Sequence, residues 1–381
     1  MNAIYLDHAA TTPIHPEVID VMTTVMKETF GNPSSVHLFG REARKLLDEA
    51  RRTAAQSIGA MEKEIIFTSG GTESDNLALF GVAEKYRKNG NHIITTKMEH
   101  HAILHTCEQL EKNGYQVTYL DTDESGRISV QDLQQALTDQ TILVSIMMVN
   151  NETGMIQPIM EIGEVLKNHQ AFFHTDAVQA YGILPIDVKD LGVDLLSVSS
   201  HKINGPKGVG FLYVNNQVSL KTQQFGGEQE RKRRAGTENI PGIVGFQKAI
   251  ELSLIANEQR RMKYEAYNAQ FIDILEKSTI SFSINGEEGF RVPTIVNISF
   301  PGTNVEQLLM NLDLQGIAAS SGSACTAGSV EPSHVLSAMY KENHPCTTNS
   351  IRFSFGLANT NENITEAAQK VVSIVERLTS R

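Results

Sequence analysis

Residues 64–72 read Glu-Ile-Ile-Phe-Thr-Ser-Gly-Gly-Thr, a short apolar run that stops at two glycines. The run predicts a buried strand, and the amphipathic pattern from Thr72 to Lys88 predicts a helix directly after it. Further apolar runs, each followed by a helical pattern, lie at 92–95, 116–120 and 141–149. Alternation of this kind over residues 64–214 predicts βαβ units and an α/β fold whose mostly parallel sheet is buried on both faces.

The composition narrows the class of protein. The chain has 381 residues and a net charge of -11. Its length fits an enzyme with two lobes, and its acidity argues against nucleic acid or an anionic membrane surface as the main partner. We interpret the one basic run, at 231–234, as a solvated loop. No apolar stretch approaches the roughly 20 residues of a membrane helix, so we expect no membrane association.

The cysteines indicate the compartment. Cys107, Cys325 and Cys346 lie far apart, no C-x-x-C pair is present, and no secretory leader precedes Tyr5. Scattered cysteines in such a chain are typical of free thiols in a reducing environment. We therefore expect a cytoplasmic protein.

The C-terminal part of the chain has a different pattern. A helical pattern runs from Pro241 to about Lys277 and reads as a connector. Strand patterns then appear at 294–300, 316–321 and 350–355, with helical patterns between and after them. We expect residues 16–255 to form a large domain, and residues 256–381 to form a smaller α+β domain together with residues 1–15.

The glycines at the end of the first strand could bind an anion. Residues 69–74 read Ser-Gly-Gly-Thr-Glu-Ser and open the predicted helix, so free N–H groups and the helix dipole face that end. The segment matches neither G-x-x-x-x-G-K-[ST] nor G-x-G-x-x-G, which argues against ATP or NAD. A phosphate-binding turn and a plain capped turn are both compatible with it.

Two further strand ends carry an amine and a carboxylate. Lys202 follows the run Ser-Val-Ser-Ser-His at 197–201 and precedes a Gly/Pro-rich loop, while Asp176 ends the run Phe-Phe-His-Thr at 172–175. A lysine that forms a Schiff base and a carboxylate against a pyridinium nitrogen are the groups that pyridoxal phosphate (PLP) most needs. Gln179 could then donate to the phenolic oxygen. A structural acid and a metal ligand are the other interpretations of Asp176.

The histidines at 100, 101 and 105 allow two interpretations. His101 and His105 are four residues apart on a predicted helix and could hold a metal, but no H-E-x-x-H pattern or third ligand is present. We therefore expect no metal site. His100, just past a strand, is better placed to lie over a flat cofactor and move protons, although spacing does not decide between His100 and His101.

Two single residues complete the candidates. Cys325 lies within the run Ala-Ser-Ser-Gly-Ser-Ala-Cys-Thr-Ala-Gly-Ser at 319–329, where small residues predict an exposed, flexible loop and an available thiol. Arg352, in the strand 350–355, needs an anionic partner, either a substrate carboxylate or a structural carboxylate. Cys107 is predicted to pack in the core, and Cys346 to be an incidental loop thiol.

Taken together, these segments resemble the cysteine desulfurases of the NifS/IscS type, which are class-V aminotransferase-like PLP enzymes of the aspartate-aminotransferase fold (PLP-dependent transferase fold type I). The resemblance spans nearly the whole chain in the family's order. It rests on the runs at 5–13, 31–35, 68–76, 149–154, 174–179, 200–202 and 320–325.

The resemblance implies a role for each candidate. Lys202 would carry the cofactor, Asp176 would face its ring nitrogen, and His100 would stack on the ring. Arg352 and Asn151 would bind the substrate, with Arg352 on its carboxylate, and Cys325 would take the sulfur. The remaining cofactor contacts implied are Gln179 and Asn151 near the ring oxygen, Gly71, Thr72, Ser199 and His201 at the phosphate, and Thr237 from the second subunit.

The resemblance further implies a PLP-dependent reaction that converts L-cysteine to L-alanine and leaves a persulfide on Cys325. It implies a homodimer and a protein that accepts the sulfur, either a tRNA-thiolating enzyme or an iron–sulfur scaffold. A selenocysteine lyase and a PLP aminotransferase remain alternatives, and a catalytically idle sulfur-relay subunit is a third from another class.

Overall fold

The computed structural model describes residues 3–255, 257–321 and 332–380. Its strands are β1 (Ile4–Tyr5), β2 (Ile65–Thr68), β3 (His92–Thr96), β4 (Gln116–Leu120), β5 (Thr141–Ser145), β6 (Phe172–Asp176), β7 (Leu195–Ser199), β8 (Gly210–Val214), β9 (Ser283–Ile284), β10 (Ile295–Ser299), β11 (Ile317–Ala318) and β12 (Ser350–Ser354). Its helices are α1 (Pro16–Glu28), α2 (Leu38–Gln56), α3 (Gly71–Tyr86), α4 (His101–Lys112), α5 (Val130–Ala136), α6 (Ile159–Leu166), the short turn α7 (Gln229–Lys232), α8 (Ile240–Ile255), α9 (Asn257–Glu276), α10 (Val305–Leu314), α11 (His334–Tyr340), α12 (Cys346–Asn349) and α13 (Asn361–Thr379).

Seven of the described strands form one large sheet in the order β2-β8-β7-β6-β5-β3-β4. All neighbouring pairs are parallel except those of β8, which is antiparallel to both β2 and β7. Both faces of this sheet are covered by helices through buried apolar clusters. The predicted α/β fold with a mostly parallel sheet is therefore confirmed.

The predicted strand at 141–149 is too long, because β5 ends at Ser145. Residues 146–149 stay buried, yet the backbone N–H of Met147 donates to the carboxylate of Glu99, at 3.0 and 3.1 Å, instead of to a strand. A side chain therefore takes the hydrogen bond that a neighbouring strand would otherwise supply. Periodicity in the sequence contains no sign of this substitution.

A second apolar core lies beside the large sheet. It contains residues of α9, α10 and α13 together with β10 and β12, and Ile4 and Leu6 of the N-terminal segment pack into it. The helical pattern predicted as one connector is two helices, since α8 packs into the first core and α9 into the second. The boundary drawn at residue 255 remains a prediction.

The large sheet brings several strand ends to one edge. β6 ends at Asp176, and β7 ends at Ser199, directly before a 3₁₀ turn over Ser200–Lys202. In sheets of this kind, ligands bind beyond the carboxyl ends of the parallel strands. None of the helices in the described ranges is long and apolar enough to cross a membrane.

A buried ion pair fixes the turn α7 against the sheet. Glu230, Arg231 and Lys232 have positive φ values of 46°, 58° and 66°, a conformation that costs L-residues roughly 1–2 kcal/mol each. The carboxylate of Glu230 accepts two hydrogen bonds of 2.7 Å from the guanidinium of Arg51 and a third, at 3.1 Å, from the N–H of Phe67. These contacts hold the strained turn in place.

We expect Arg51→Ala to lower the free energy of unfolding by about 3–5 kcal/mol, because it leaves the carboxylate of Glu230 buried without its partner. The adjacent Arg52 pairs with Glu62 in solvent, with side chains 54% and 44% exposed, so Arg52→Ala should cost less than about 1 kcal/mol. Urea denaturation of both variants measures the difference. Equal midpoints for the two variants would contradict this account.

Candidate active site

A cavity of about 280 Å³ opens at the carboxyl edge of the large sheet. Its lining includes ten of the residues that the sequence predicts as site residues: Gly71, Thr72, His100, Asn151, Asp176, Gln179, Ser199, His201, Lys202 and Arg352. Thr237 does not line this cavity and lies on an exposed segment before α8. Cys325 lies outside the described residues.

One end of the cavity has the geometry of a phosphate site. Gly71 opens α3, and a Cβ added there would lie 2.8 Å from Cγ2 of Val178, so this position tolerates only glycine without movement. Ser199 and His201 lie beside this helix end in an adjoining pocket. Backbone donors at the N-terminus of a helix, with a hydroxyl and an imidazole nearby, fit a bound phosphate.

Lys202 and Gln179 share a backbone partner. The amine of Lys202 donates to the carbonyl oxygens of Ala9 and, at 3.0 Å, Ala10, and the amide of Gln179 donates to the carbonyl oxygen of Ala9 at 2.8 Å. The N-terminal segment therefore closes this side of the cavity. It also sets the positions of two residues predicted to contact the cofactor.

Asp176 supplies a buried carboxylate in the same cavity. It is 6% exposed, and its Oδ1 accepts a hydrogen bond of 2.8 Å from the N–H of Val178. Burial raises its pKa to about 6, against the opposing effects of that hydrogen bond and of the Lys202 charge. A cationic ring nitrogen would offset the cost of burying this charge, so a protonated pyridine fits this position.

His100 forms the N-cap of α4. Its Nδ1 accepts a hydrogen bond of 3.1 Å from the N–H of Ala102. Burial, followed by the positive charge of Lys202, lowers the pKa of His100 to about 4. The ring is therefore neutral at pH 7.

Arg352 bonds a structural carboxylate and also lines the cavity. Its side chain is 3% exposed and lines the cavity, where a substrate carboxylate could reach it. It already donates to Oδ1 of Asp7 at 2.8 Å and to the carbonyl oxygen of Asn151 at 2.9 Å. Its buried Nε has no hydrogen-bond partner among the described residues, so the guanidinium retains a donor.

Two buried acids that were not predicted from the sequence, Asp75 and Glu99, lie close enough to Asp176 for its charge to act on them. Burial, and then the charge of Asp176, raise the pKa of Asp75, and burial raises that of Glu99 to about 8, with the charge of Asp176 adding to the effect. Asp75 lies 3.7 Å from Nε2 of His174. A carboxylate just before the apolar run Leu-Ala-Leu-Phe at 77–80 was the available signal for Asp75.

Of the two cysteines among the described residues, one lies where the sequence predicts and the other does not. Cys107 is buried in α4, as predicted. The prediction that Cys346 is a loop thiol is wrong, because it begins α12 and is only 8% exposed. Among the described residues, no group of three or more His, Cys, Asp or Glu side chains is arranged to hold a metal ion.

Comparison with known proteins gives consistent matches. The family model of class-V aminotransferases matches residues 4–366. Cysteine desulfurase IscS of Dictyoglomus turgidum (strain DSM 6724 / Z-1310) is 47% identical over 377 residues, which cover 98% of this chain and 95% of that protein. Two solved structures are similar: a NifS-like protein, with a TM-score of 0.92, 34% identity and coverage of 98% and 100%, and SspA in complex with cysteine, with a TM-score of 0.82, 38% identity and coverage of 92% and 98%.

Proposed function

Because this chain belongs to the class-V aminotransferase family and, within it, to the cysteine desulfurases, we propose that the cavity described above binds PLP and converts L-cysteine to L-alanine. The observation that supports this most strongly is the meeting of Lys202, Asp176 and the N-terminus of α3 in one cavity. When bound, PLP supplies an electron-withdrawing ring that stabilises negative charge at the substrate's α-carbon.

Different residues of the cavity would contact different parts of the cofactor. Lys202 would hold the cofactor, and its amine would also serve as the base that takes the α-proton of the substrate. Asp176 keeps the ring nitrogen protonated, and Gln179 and Asn151 contact the ring oxygen. The phosphate is bound at the other end by Gly71, Thr72, Ser199 and His201.

Substrate binding and sulfur removal fall to two further residues. Arg352 binds the substrate carboxylate, and its existing bond to Asp7 fixes the plane of the guanidinium. The thiolate of Cys325 attacks the substrate sulfur, forming an S–S bond while the C–S bond breaks and its electron pair stays on carbon. Protonation of that carbon, together with return of a proton from the Lys202 amine to the α-carbon, completes alanine, and the persulfide remains on Cys325.

We also propose that the enzyme is a homodimer in which Thr237 reaches the phosphate site of the partner. Thr237 is exposed in the single chain, as such a contact requires. An apolar surface at the start of α2 supports the proposal of a dimer. Its residues Phe30, Val36 and Phe39 are 77%, 89% and 47% exposed, and the two phenylalanine rings lie 4.9 Å apart. Exposed apolar patches of this kind often mark subunit interfaces. A cytoplasmic location remains a prediction.

The proposal is tested by supplying the PLP-loaded enzyme with L-cysteine labelled at sulfur. We expect one alanine for each labelled sulfur bound to Cys325, and transfer of the label to a purified tRNA-thiolating enzyme or iron–sulfur scaffold. Pyridoxamine phosphate and a keto acid in place of alanine would identify an aminotransferase. A strong preference for L-selenocysteine in competition with L-cysteine would identify a selenocysteine lyase.

A further inference from the structure

The residues of the basic run at 231–234 have different surroundings. Lys232 pairs with Glu228 in solvent, with side chains 71% and 77% exposed. Arg234 is only 22% exposed, and its guanidinium donates to both oxygens of the Glu73 carboxylate, at 2.7 and 3.3 Å. Two hydrogen bonds of this kind fix the relative orientation of the two groups, which a lysine could not do. Arg234 therefore has a fixed and specific partner.

Glu73 lies in the first turn of the helix that forms the phosphate end of the cavity. It is the third residue of α3, after Gly71 and Thr72. Its Oε2 accepts a hydrogen bond of 2.7 Å from the N–H of Ser69, just before that helix. Gly70, at the N-cap, has no side chain that could cap the helix, and its φ of 146° is one that glycine adopts readily. A carboxylate is therefore fixed beside the backbone groups proposed to bind the phosphate.

Glu73 is negatively charged at pH 7. Burial raises its pKa, but the hydrogen bonds from Arg234 and Ser69 and the charge of Arg234 outweigh burial and lower the pKa below its ordinary value. The described residues that line the adjoining pocket include one acid, Glu73, and one lysine, Lys207. The ring of His201 in that pocket is neutral, because burial and the charges of nearby lysines lower its pKa to about 4. Without Arg234, the carboxylate would offset the positive charge of Lys207.

We propose that Arg234 is a positioning residue for the cofactor phosphate, because it neutralises and orients Glu73. The inference rests on the proposed binding of PLP and deepens it. A phosphate group carries about two negative charges, and the N-terminus of α3 attracts an anion. The Glu73 carboxylate is attracted to the same helix end, and without a partner its charge would repel the phosphate. Paired with Arg234, Glu73 holds the turn at 69–71 while the pair as a whole stays neutral.

The main chain on both sides of Arg234 is fixed by other contacts. Glu230, four residues earlier, is held by Arg51 in the buried ion pair described above. Two residues later, the N–H of Gly236 donates to Oε1 of Gln229 at 3.2 Å. Arg234 is thus held at the phosphate end by the surrounding chain. Because the residue is ordered in advance, little conformational entropy is lost when the phosphate binds.

The test is a titration of the apoenzyme with PLP, followed by the absorbance of the bound cofactor. We expect Arg234→Gln to raise the dissociation constant of PLP about 10-fold, because it leaves the Glu73 carboxylate unpaired beside the phosphate. Glu73→Gln should not weaken PLP binding, since its amide oxygen can still accept the N–H of Ser69. The double variant Glu73→Gln/Arg234→Gln should bind PLP about as tightly as the wild type, because neither charge remains.

Pyridoxal, which lacks the phosphate, is the matched probe. It should bind Arg234→Gln and the wild type equally, because the proposed effect acts on the phosphate alone. Arg261→Gln is the control variant. Arg261 pairs with Glu265 on α9 in solvent, with side chains 55% and 49% exposed, so its replacement should leave the affinity for PLP unchanged. Urea denaturation checks that each variant is folded.

The outcomes separate this inference from the proposed function. If the wild-type apoenzyme does not bind PLP, the proposed function fails. If the wild type binds PLP and Arg234→Gln binds it equally well, only the inference is wrong. Equal weakening of PLP and pyridoxal by Arg234→Gln, or a double variant that binds PLP no better than Arg234→Gln, would mean that the pair only shapes the cavity, and would also overturn the inference.

A second variant covers the case in which Arg234→Gln does not fold. Arg234→Lys keeps the positive charge but loses the two-pronged contact with Glu73. It should bind PLP with a dissociation constant closer to that of the wild type than to the 10-fold increase expected for Arg234→Gln. A loss of about 10-fold or more in folded Arg234→Lys, with pyridoxal binding unchanged, would contradict a role for the charge.

Discussion

The Lys202→Ala variant should show no visible absorbance from bound PLP and should form alanine at about 10⁴-fold below the wild-type rate or less. Lys202 is the amine that lines the cavity together with Asp176, and alanine offers neither the covalent link to the cofactor nor a base for the α-proton. The absorbance spectrum of the purified protein and an assay of alanine measure the two losses separately.

A matched control comes from a lysine outside the cavity. Lys189 lies on an exposed turn, so Lys189→Ala should keep both the absorbance and the rate. Misfolding of the variant would also remove the absorbance, because the amine of Lys202 donates hydrogen bonds to the carbonyl oxygens of Ala9 and Ala10. Unfolding by urea therefore checks that Lys202→Ala is folded. A folded variant that retained full alanine formation would remove Lys202 from the proposed mechanism.

The sequence predicted those site residues that stand at strand ends. Asp176 and Lys202 follow apolar runs in a βαβ pattern, and the carboxyl ends of parallel strands meet at one edge whatever the details of packing. Local sequence was therefore sufficient to bring them together. Their separation and relative orientation were not predictable, because these depend on the twist of the sheet and on the N-terminal segment.

The residues that sequence reasoning missed act through contacts distant in the chain. Glu99 is buried because its carboxylate accepts the N–H of Met147, 48 residues away, and no pattern around Glu99 encodes that partner. The basic run at 231–234 is a similar case. It was interpreted as a solvated loop, yet Arg234 bonds Glu73 at 2.7 Å and is only 22% exposed.

For the histidines, the family resemblance implied a position but no protonation state. The resemblance assigned His100 to the cofactor, and the structure places His100 in the cavity. The tautomer of that ring depends on the hydrogen bond that Nδ1 accepts from the N–H of Ala102, which the sequence alone does not show. His101 and His105 were weighed as a metal pair on their spacing, and the structure stacks these two rings with centroids 5.0 Å apart and brings the ring of His334 within 4.7 Å of that of His101.

The Cys325→Ser variant should bind PLP and L-cysteine normally but release sulfide at a rate about 10³-fold or more below that of the wild type, when no other thiol is added. A thiolate is available near pH 7 and attacks sulfur readily, whereas a serine hydroxyl stays protonated and cannot form a persulfide. Cofactor absorbance, the spectral change on adding L-cysteine, and sulfide production report binding and sulfur removal separately.

The matched control is Cys346→Ser. Cys346 is buried in α12, and its carbonyl oxygen accepts a hydrogen bond from the hydroxyl of Ser350. It does not line the cavity, so its replacement should leave sulfide production intact. Mass spectrometry after one turnover should find one added sulfur on wild type and on Cys346→Ser, and none on Cys325→Ser. Because Lys202 and Asp176 alone fit many PLP reactions, the persulfide is the feature that distinguishes sulfur removal from transamination. Full sulfide release by Cys325→Ser would mean that another group takes the sulfur, even with the cofactor site correctly assigned.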